Sequence, residues 1–211
     1  MLVEESLWLR EKIALLNLNP GDKILNVGSW DSFFREKKQP HIHNNIIKPL
    51  IERGVAILNT DCYTSPGIDI IGDLSNKEFI ESLKNENYKC VLCSNVLEHL
   101  AEPQKFMDIL KSLLMESWCF LIITVPANFP YHPDPLDNRF RPWIVDLQRN
   151  FPEFRLVFWE IVVSKASIFK RWRRSVVKII TVWSPNWKYH ILDFFKNIMN
   201  YSACCIILEK K

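Results

Sequence analysis

Glycine is scarce in this chain: five residues in 211. None sits in a G-x-G-x-x-G loop, and no acid follows such a loop by about 20 residues, which argues against a nicotinamide-dinucleotide enzyme. Long apolar runs are also missing. No stretch reaches the roughly 20 residues that a spanning helix needs. The opening MLVEESLWLREKIALL carries acids early and charges throughout, unlike a secretory signal. These absences predict a cytoplasmic chain that at most touches the inner membrane surface. Charge of one sign is scarce too: 27 Lys and Arg against 24 Asp and Glu leave a net +3. That excess is too small to predict a nucleic-acid partner, and no nucleic-acid-binding motif is present.

Metal-ligand spacing is the last absence. The six cysteines are Cys62, Cys90, Cys93, Cys119, Cys204 and Cys205. Cys90 and Cys93 form a C-x-x-C, but an odd spacing in a strand sends the thiols to opposite faces. No histidine or second cysteine pair stands at zinc spacing, so no metal site is predicted. Most of the cysteines lie in apolar, strand-like segments and read as buried, inert thiols suited to a reducing compartment.

What is present suffices for one domain over 1–211: 48% of residues are apolar, with no repeat or low-complexity tract. A helix over 4–17 is predicted from Leu7, Leu9, Ile13 and Leu16. A turn at Asn19-Pro20-Gly21-Asp22 precedes a buried strand, Lys23 to Val27, ended by Gly28. Helices are expected over 46–53, 76–84 and 103–115, and further strands over 55–59, 68–71, 88–94 and 118–125, the last stopping at Pro126. This alternation predicts a doubly wound α/β fold with a mostly parallel sheet covered on both faces. Five prolines make 126–142 a stiff, non-helical loop. Strands at 155–163 and 202–208 would complete seven, with the last antiparallel. The chain thus divides into an N-terminal helix (1–20), a core (21–150), and C-terminal strands (151–211) interrupted by a basic helical insertion (166–199).

In an open α/β sheet, ligands sit beyond the carboxyl ends of the strands, where strand order reverses. The residues to read are therefore 26–31 after the first strand, Asp61 after the second, Asp73 after the third, and Ser94-Asn95 after the fourth. A glycine after the first strand permits a tight turn and close backbone approach. An acid after the second can accept both hydroxyls of a ribose. An acid after the third can accept from an adenine amino group. Together they describe an adenosine-shaped site.

ILNVGS, LNTDCYTSPGIDIIGDL and YKCVLCSNVLEHL, in this order, resemble the motifs of class I S-adenosylmethionine-dependent methyltransferases. The nearest likeness is to the small bacterial type 11 methyltransferases, and IITVPANFPYHPDPLDNRFRPW resembles their loop after the fifth strand. The resemblance covers about residues 20–150. It implies a Rossmann-like fold and S-adenosylmethionine as cofactor. It further implies that Asn26, Gly28 and Ser29 hold the methionine end, Asp61 the ribose, and Asp73 with Leu74 the adenine. Ser94 and Asn95 would line the far side of the cofactor. The chain departs from the family at three places. Asn26 replaces an acid and cannot pair with the cofactor ammonium as an ion. Residues 28–32 hold one glycine, and Trp30 either crowds the site or walls it. Lys89 stands where an Asp is common.

Methyl transfer mainly needs positioning and, for some acceptors, a proton acceptor. The candidate bases are His99 and His132. Helix capping and packing is the competing reading for Glu98 and His99. His132 lies in a loop with Asp134, Asp137, Arg139 and Arg141, which either receives an anionic acceptor or pairs internally. His41 and His43 are undecided. Segment 165–192 holds seven cations and no acid, with Ile168, Trp172, Val176, Ile179 and Trp183 on one helical face. It reads either as a helix on an anionic membrane surface, through 166–183, or as one packed on the sheet with its basic side in water. Two functions follow: methyl transfer to a small-molecule or glycan acceptor, or a non-catalytic scaffold that kept the fold and lost the glycine loop.

Overall fold

The computed structural model describes residues 1–131, 136–165 and 200–211. His132, Asp134 and the basic segment 166–199 lie outside the described residues. Seven strands form one mixed sheet: β1 (Lys23–Val27), β2 (Ala56–Asp61), β3 (Ile70–Ile71), β4 (Cys90–Ser94), β5 (Phe120–Asn128), β6 (Phe154–Val163) and β7 (Ser202–Lys210). Their order is β3-β2-β1-β4-β5-β7-β6. The first five are mutually parallel, while β7 runs antiparallel to both β5 and β6. The chain reverses its lateral direction between β1 and β4, so a crevice opens there beyond the carboxyl ends.

Alternation along the strands divides the core in two. Leu25, Val91, Cys93, Leu121 and Ile123 face one layer, packed with Leu83 of α4 (Lys77–Lys84), Met107 and Leu110 of α5 (Pro103–Ser112), and Leu147 of α6 (Ile144–Arg149). Ile24, Cys90, Leu92 and Ile122 face the other, packed with Trp8, Leu9 and Ile13 of α1 (Val3–Ala14) and Leu50 of α3 (Lys48–Glu52). The C-x-x-C thiols therefore point to opposite faces, and burial pushes both up in pKa. Helices cover both faces of the sheet, as the alternating pattern predicts.

Four local readings need correction. The buried stripe of α1 is Glu5, Trp8, Leu9 and Ile13, whereas Leu7 is exposed. β5 does not stop at Pro126 but runs to Asn128; the missing N–H falls beside a register shift between Pro126 and Asn128, where a proline is tolerated. The short helix α6 follows the proline loop and has no counterpart in the sequence reading. The helical region before β2 begins well before residue 46. Phe34–Lys38 and His43–Ile47 are wound as π-helix around α2 (Pro40–Ile42), and α3 follows directly. Prolines at the starts of α2 and α3 interrupt regular winding. The π-helical segment Phe34–Lys38 buries only Arg35, so it carries no apolar stripe to read.

Candidate functional site

A cavity of about 920 Å³ lies beyond the carboxyl ends of β1, β4 and β5, beside the start of β7. Asn26 contributes from β1 and Gly28, Ser29 and Trp30 from the loop after it, and Ser94 from the end of β4 with Asn95, Glu98 and His99 from the loop that follows. The start of α1 and the helical region over 34–47 close the opposite side, and Phe129 and Tyr201, their rings 4.9 Å apart, stand on the wall.

Gly28 has φ +63, a conformation that costs a residue with Cβ. A Cβ there would also lie 2.6 Å from Val96 Cγ2, so the glycine lets the two loops close on each other. Asn26 is 7% exposed, and its amide donates to Asn59 Oδ1 at 3.0 Å. Asn59 in turn donates to Asp69 Oδ2 from its backbone N at 2.8 Å and its side chain at 2.9 Å. The position that would hold an acid is thus a neutral member of a polar chain linking β1, β2 and the turn before β3.

The other resemblance-derived positions lie to the side. Asp61, Asp73 and Leu74 are not on the cavity wall. Asp61 accepts from the Trp30 backbone N at 3.0 Å and from its neighbour Cys62 N at 2.9 Å. Asp73 is exposed and accepts from Ser75 N at 2.8 Å, which holds its carboxyl below the usual range. Leu74 is buried in the core beside α4. The structure therefore brings Asn26, Gly28, Ser29, Ser94, Asn95 and His99 together around one hollow and sets the two acids beyond its β2 side. A carboxylate oxygen accepts more than one hydrogen bond, so Asp61 keeps capacity for a further donor.

Sequence reasoning missed the side chain that organises the β2 side. Arg35 is 4% exposed. Its guanidinium donates to Ser29 O at 3.1 Å and Gly67 O at 2.7 Å, and also to Trp30 O. It fastens the loop after β1 to the loop after β2. Ser32 N adds a bond to Pro66 O at 2.8 Å. Trp30 adopts φ +57, in the left-handed region that glycine favours, and stacks on Phe34 at 4.9 Å. The signal for this was the missing glycine itself: a loop without glycine needs another means of holding a strained backbone.

Glu5 was missed as well. It is buried at the cavity wall, accepting from Asn95 Nδ2 at 2.7 Å through Oε1 and from Leu2 N at 3.0 Å through Oε2. Its spacing from Leu9 and Ile13 placed it on the buried stripe of α1, which could have flagged it. His99 gives its Nδ1 proton to the Leu136 carbonyl, so in the neutral ring Nε2 is the acceptor. Glu98 is 1% exposed, and its Oε2 has no hydrogen-bond partner among the described residues. Burial pushes its carboxyl from the ordinary 4.5 to about 7. Asp137 pairs with Arg141 at 2.6 Å, in keeping with a loop held internally. His41 Nε2 lies 3.2 Å from Met1 O, and burial lowers its pKa.

Six buried side-chain polar atoms lack a hydrogen-bond partner among the described residues, and three of them line this cavity: Gln39 Oε1, Ser94 Oγ and Glu98 Oε2. Buried polar groups are nearly always satisfied. Ser94 at the end of β4 and Glu98 in the turn after it stand together and Gln39 on the opposite side, so the walls of one hollow hold half of these atoms. Among the described residues no group of three or more His, Cys, Asp or Glu is arranged for a metal ion, and no helix is long and apolar enough to cross a membrane.

No protein-family model and no curated protein matches the chain. Solved structures do. The chain is similar to the 4+2 cyclase SpnF over 96% of its own length and 80% of that chain, with 14% identity and a TM-score of 0.58. It is similar to a geranyl diphosphate methyltransferase in complex with S-adenosylmethionine over 99% of its length and 85% of that chain, with 6% identity and a TM-score of 0.56. Against a phosphoethanolamine N-methyltransferase of Haemonchus contortus bound to S-adenosylmethionine, it covers 97% of itself but only 52% of the other chain, with 9% identity and a TM-score of 0.54. At these identities the likeness establishes the architecture: a Rossmann-like α/β fold.

Proposed function

We propose that the chain binds S-adenosylmethionine in the strand-end cavity and transfers its methyl group to a small-molecule or glycan acceptor. The observation that carries this reading is the cavity itself. It has the volume for a cofactor and an acceptor together, it opens where the sheet order reverses, and its lining residues include three with unpartnered polar atoms, Ser94 and Glu98 at the end of β4 and in the turn after it and Gln39 before α2. Two of the solved structures that share the fold hold S-adenosylmethionine, which supports the cofactor assignment. Asn26, Gly28 and Ser29 would hold the methionine end, and Ser94 and Asn95 would line the far side of the cofactor. Asp61 would reach the ribose, and Asp73 with Leu74 the adenine, where a nucleoside extends past Gly28 towards β2.

When bound, the cofactor supplies a methyl group already activated on a sulfonium. The chain's own task is to align the acceptor, exclude water and take one proton where the acceptor carries it. Phe129, Tyr201 and the first residues of α1 enclose the acceptor side. His99 Nε2 is suited to receive the proton, because Nδ1 is committed to Leu136 O. His132 is the second candidate base in the proline loop. Lys38 and Lys165 on the wall suit an acceptor bearing an anionic group.

Calorimetry with S-adenosylmethionine and S-adenosylhomocysteine tests the reading. Micromolar binding with a raised melting temperature is expected, and Asp61→Ala should abolish the shift. No heat and no shift with either ligand would leave the second reading, a scaffold that does not turn over. That alternative draws its support from the β2 side, where Trp30 and Arg35 brace the loop in place of glycines.

A further inference from the structure

The amino-acid end of the cofactor carries an ammonium group, and the acid expected two residues before Gly28 is Asn26. Asn26 is neutral, and its amide is already spent on Asn59. An ammonium in a largely enclosed site needs a counter-charge. Among the described residues three carboxylates line the cavity: Glu4, Glu5 and Glu98. Glu4 accepts from the Lys165 backbone N at 2.7 Å. Both oxygens of Glu5 are engaged, by Asn95 and by Leu2. Glu98 differs. Oε2 has no hydrogen-bond partner among the described residues, and Oε1 lies 3.8 Å from His99 Nε2, beyond hydrogen-bond range, so that the carboxyl is met only by its own backbone N–H. Glu98 belongs to the single helical turn Leu97–His99 directly after Val96, and Val96 is the side chain that packs over Gly28. The orphaned carboxyl therefore stands on the loop that meets Gly28, at the end of the cavity where the methionine part of the cofactor would lie.

We propose that Glu98 is the ionic partner of the ammonium group at the amino-acid end of S-adenosylmethionine, supplying from the loop after β4 the charge that β1 lacks. The assignment rests on the cofactor reading above. A carboxyl left unpaired and buried without ligand is costly, and an arriving ammonium makes its charged form favourable again. The groups facing Glu98 are Arg141, Glu5 and the Met1 amine, with His99 beside it. None of these gives Oε2 a hydrogen bond in the structure.

The test compares two ligands that differ at this end: S-adenosylhomocysteine, and methylthioadenosine, which lacks the amino-acid group. Titration calorimetry on Glu98→Gln should show S-adenosylhomocysteine weakened roughly tenfold or more, the loss of one charged hydrogen bond, with methylthioadenosine within about twofold of the parent protein. In the unmodified protein, S-adenosylhomocysteine affinity should rise from pH 6 to pH 8 as Glu98 ionises through about 7, while methylthioadenosine affinity stays level. That second measurement needs no variant and stands even if Glu98→Gln folds poorly. Equal weakening of both ligands, or no change in either together with a flat pH profile, overturns the assignment. A parent protein that binds neither ligand overturns the cofactor reading, and Glu98's role falls with it. Binding of methylthioadenosine and S-adenosylhomocysteine with equal affinity keeps that reading and removes only this one.

Discussion

The two halves of the strand-end face are built from the same kinds of loop and end in opposite states. Over β2 and β3, most polar groups satisfy one another, Thr60 Oγ1 excepted: Arg35 binds the carbonyls of Ser29, Trp30 and Gly67, Asp61 binds the Trp30 amide, and Asp69 binds Asn59. Over β4, β5 and β7, Ser94 Oγ and Glu98 Oε2 have no hydrogen-bond partner among the described residues that surround an open hollow. The first half is largely braced by its own side chains, with acceptor capacity left at Asp61, and the second holds unpartnered polar atoms beside a cavity. A strand-end loop with a single glycine can thus be braced by side chains on one side and border an open hollow on the other.

The sharpest way to break this contrast is Arg35→Ala. It removes a donor from three carbonyl groups, that of Ser29 buried and those of Trp30 and Gly67 part-buried, and should cost about 2–4 kcal/mol in a denaturant melt. A loss under about 1 kcal/mol would mean that the braced half holds without its brace. Next in size is the pH dependence that the open half imposes. Glu98 has its folded-state carboxyl raised from 4.5 to about 7, so the native state holds the proton more tightly than the unfolded chain does. Its contribution is fully present below about pH 4.5 and is lost as pH rises through 7, up to about 3 kcal/mol in total. In the ligand-free protein, Glu98→Gln should flatten stability between pH 5 and 8. An unchanged slope would mean that Glu98 is not the group responsible.

Gly28→Ala combines a left-handed backbone with a contact to Val96 and should destabilise by about 2 kcal/mol, read as a lowered melting temperature. Trp30→Gly is the smallest change. Relief of the strained φ is offset by the lost stack on Phe34, so stability should stay within about 1 kcal/mol of the parent. S-adenosylmethionine should bind as tightly or more tightly than to the parent; weaker binding would make Trp30 a wall of the site rather than an obstruction.

Much of the architecture was legible because its signals are periodic. The buried strands KILNV and CVLCS, each followed by turn chemistry and a helix, led to a doubly wound sheet with an antiparallel last strand. The odd spacing of Cys90 and Cys93 gave their opposite faces. The same logic failed where burial is polar. Arg35 sits in a charged stretch, FREKK, with no apolar neighbour to mark it as interior. Glu5 looks like a surface acid in sequence, because a carboxylate is rarely buried without a reason, and Glu98 reads as a cap or packing residue beside His99. Strand-end position identified Asn26, Gly28, Ser29, Ser94 and Asn95 as cavity neighbours. It carried no information on loop tilt, so it could not say that Asp61 and Asp73 stand beyond the wall.

β7 comes after β6 in the chain, yet lies between β5 and β6 and is buried along nearly its whole length. During synthesis both of its flanking strands must wait with an open edge each, and β6 has no partner at all until that slot is filled. Edges of this kind recruit strands from other molecules. Pairing over such a sequence distance is also slow to form. An arrest of translation before residue 202 would therefore release a chain with two adhesive borders rather than a smaller stable fold, and its yield of soluble material should depend on how quickly that final insertion is made.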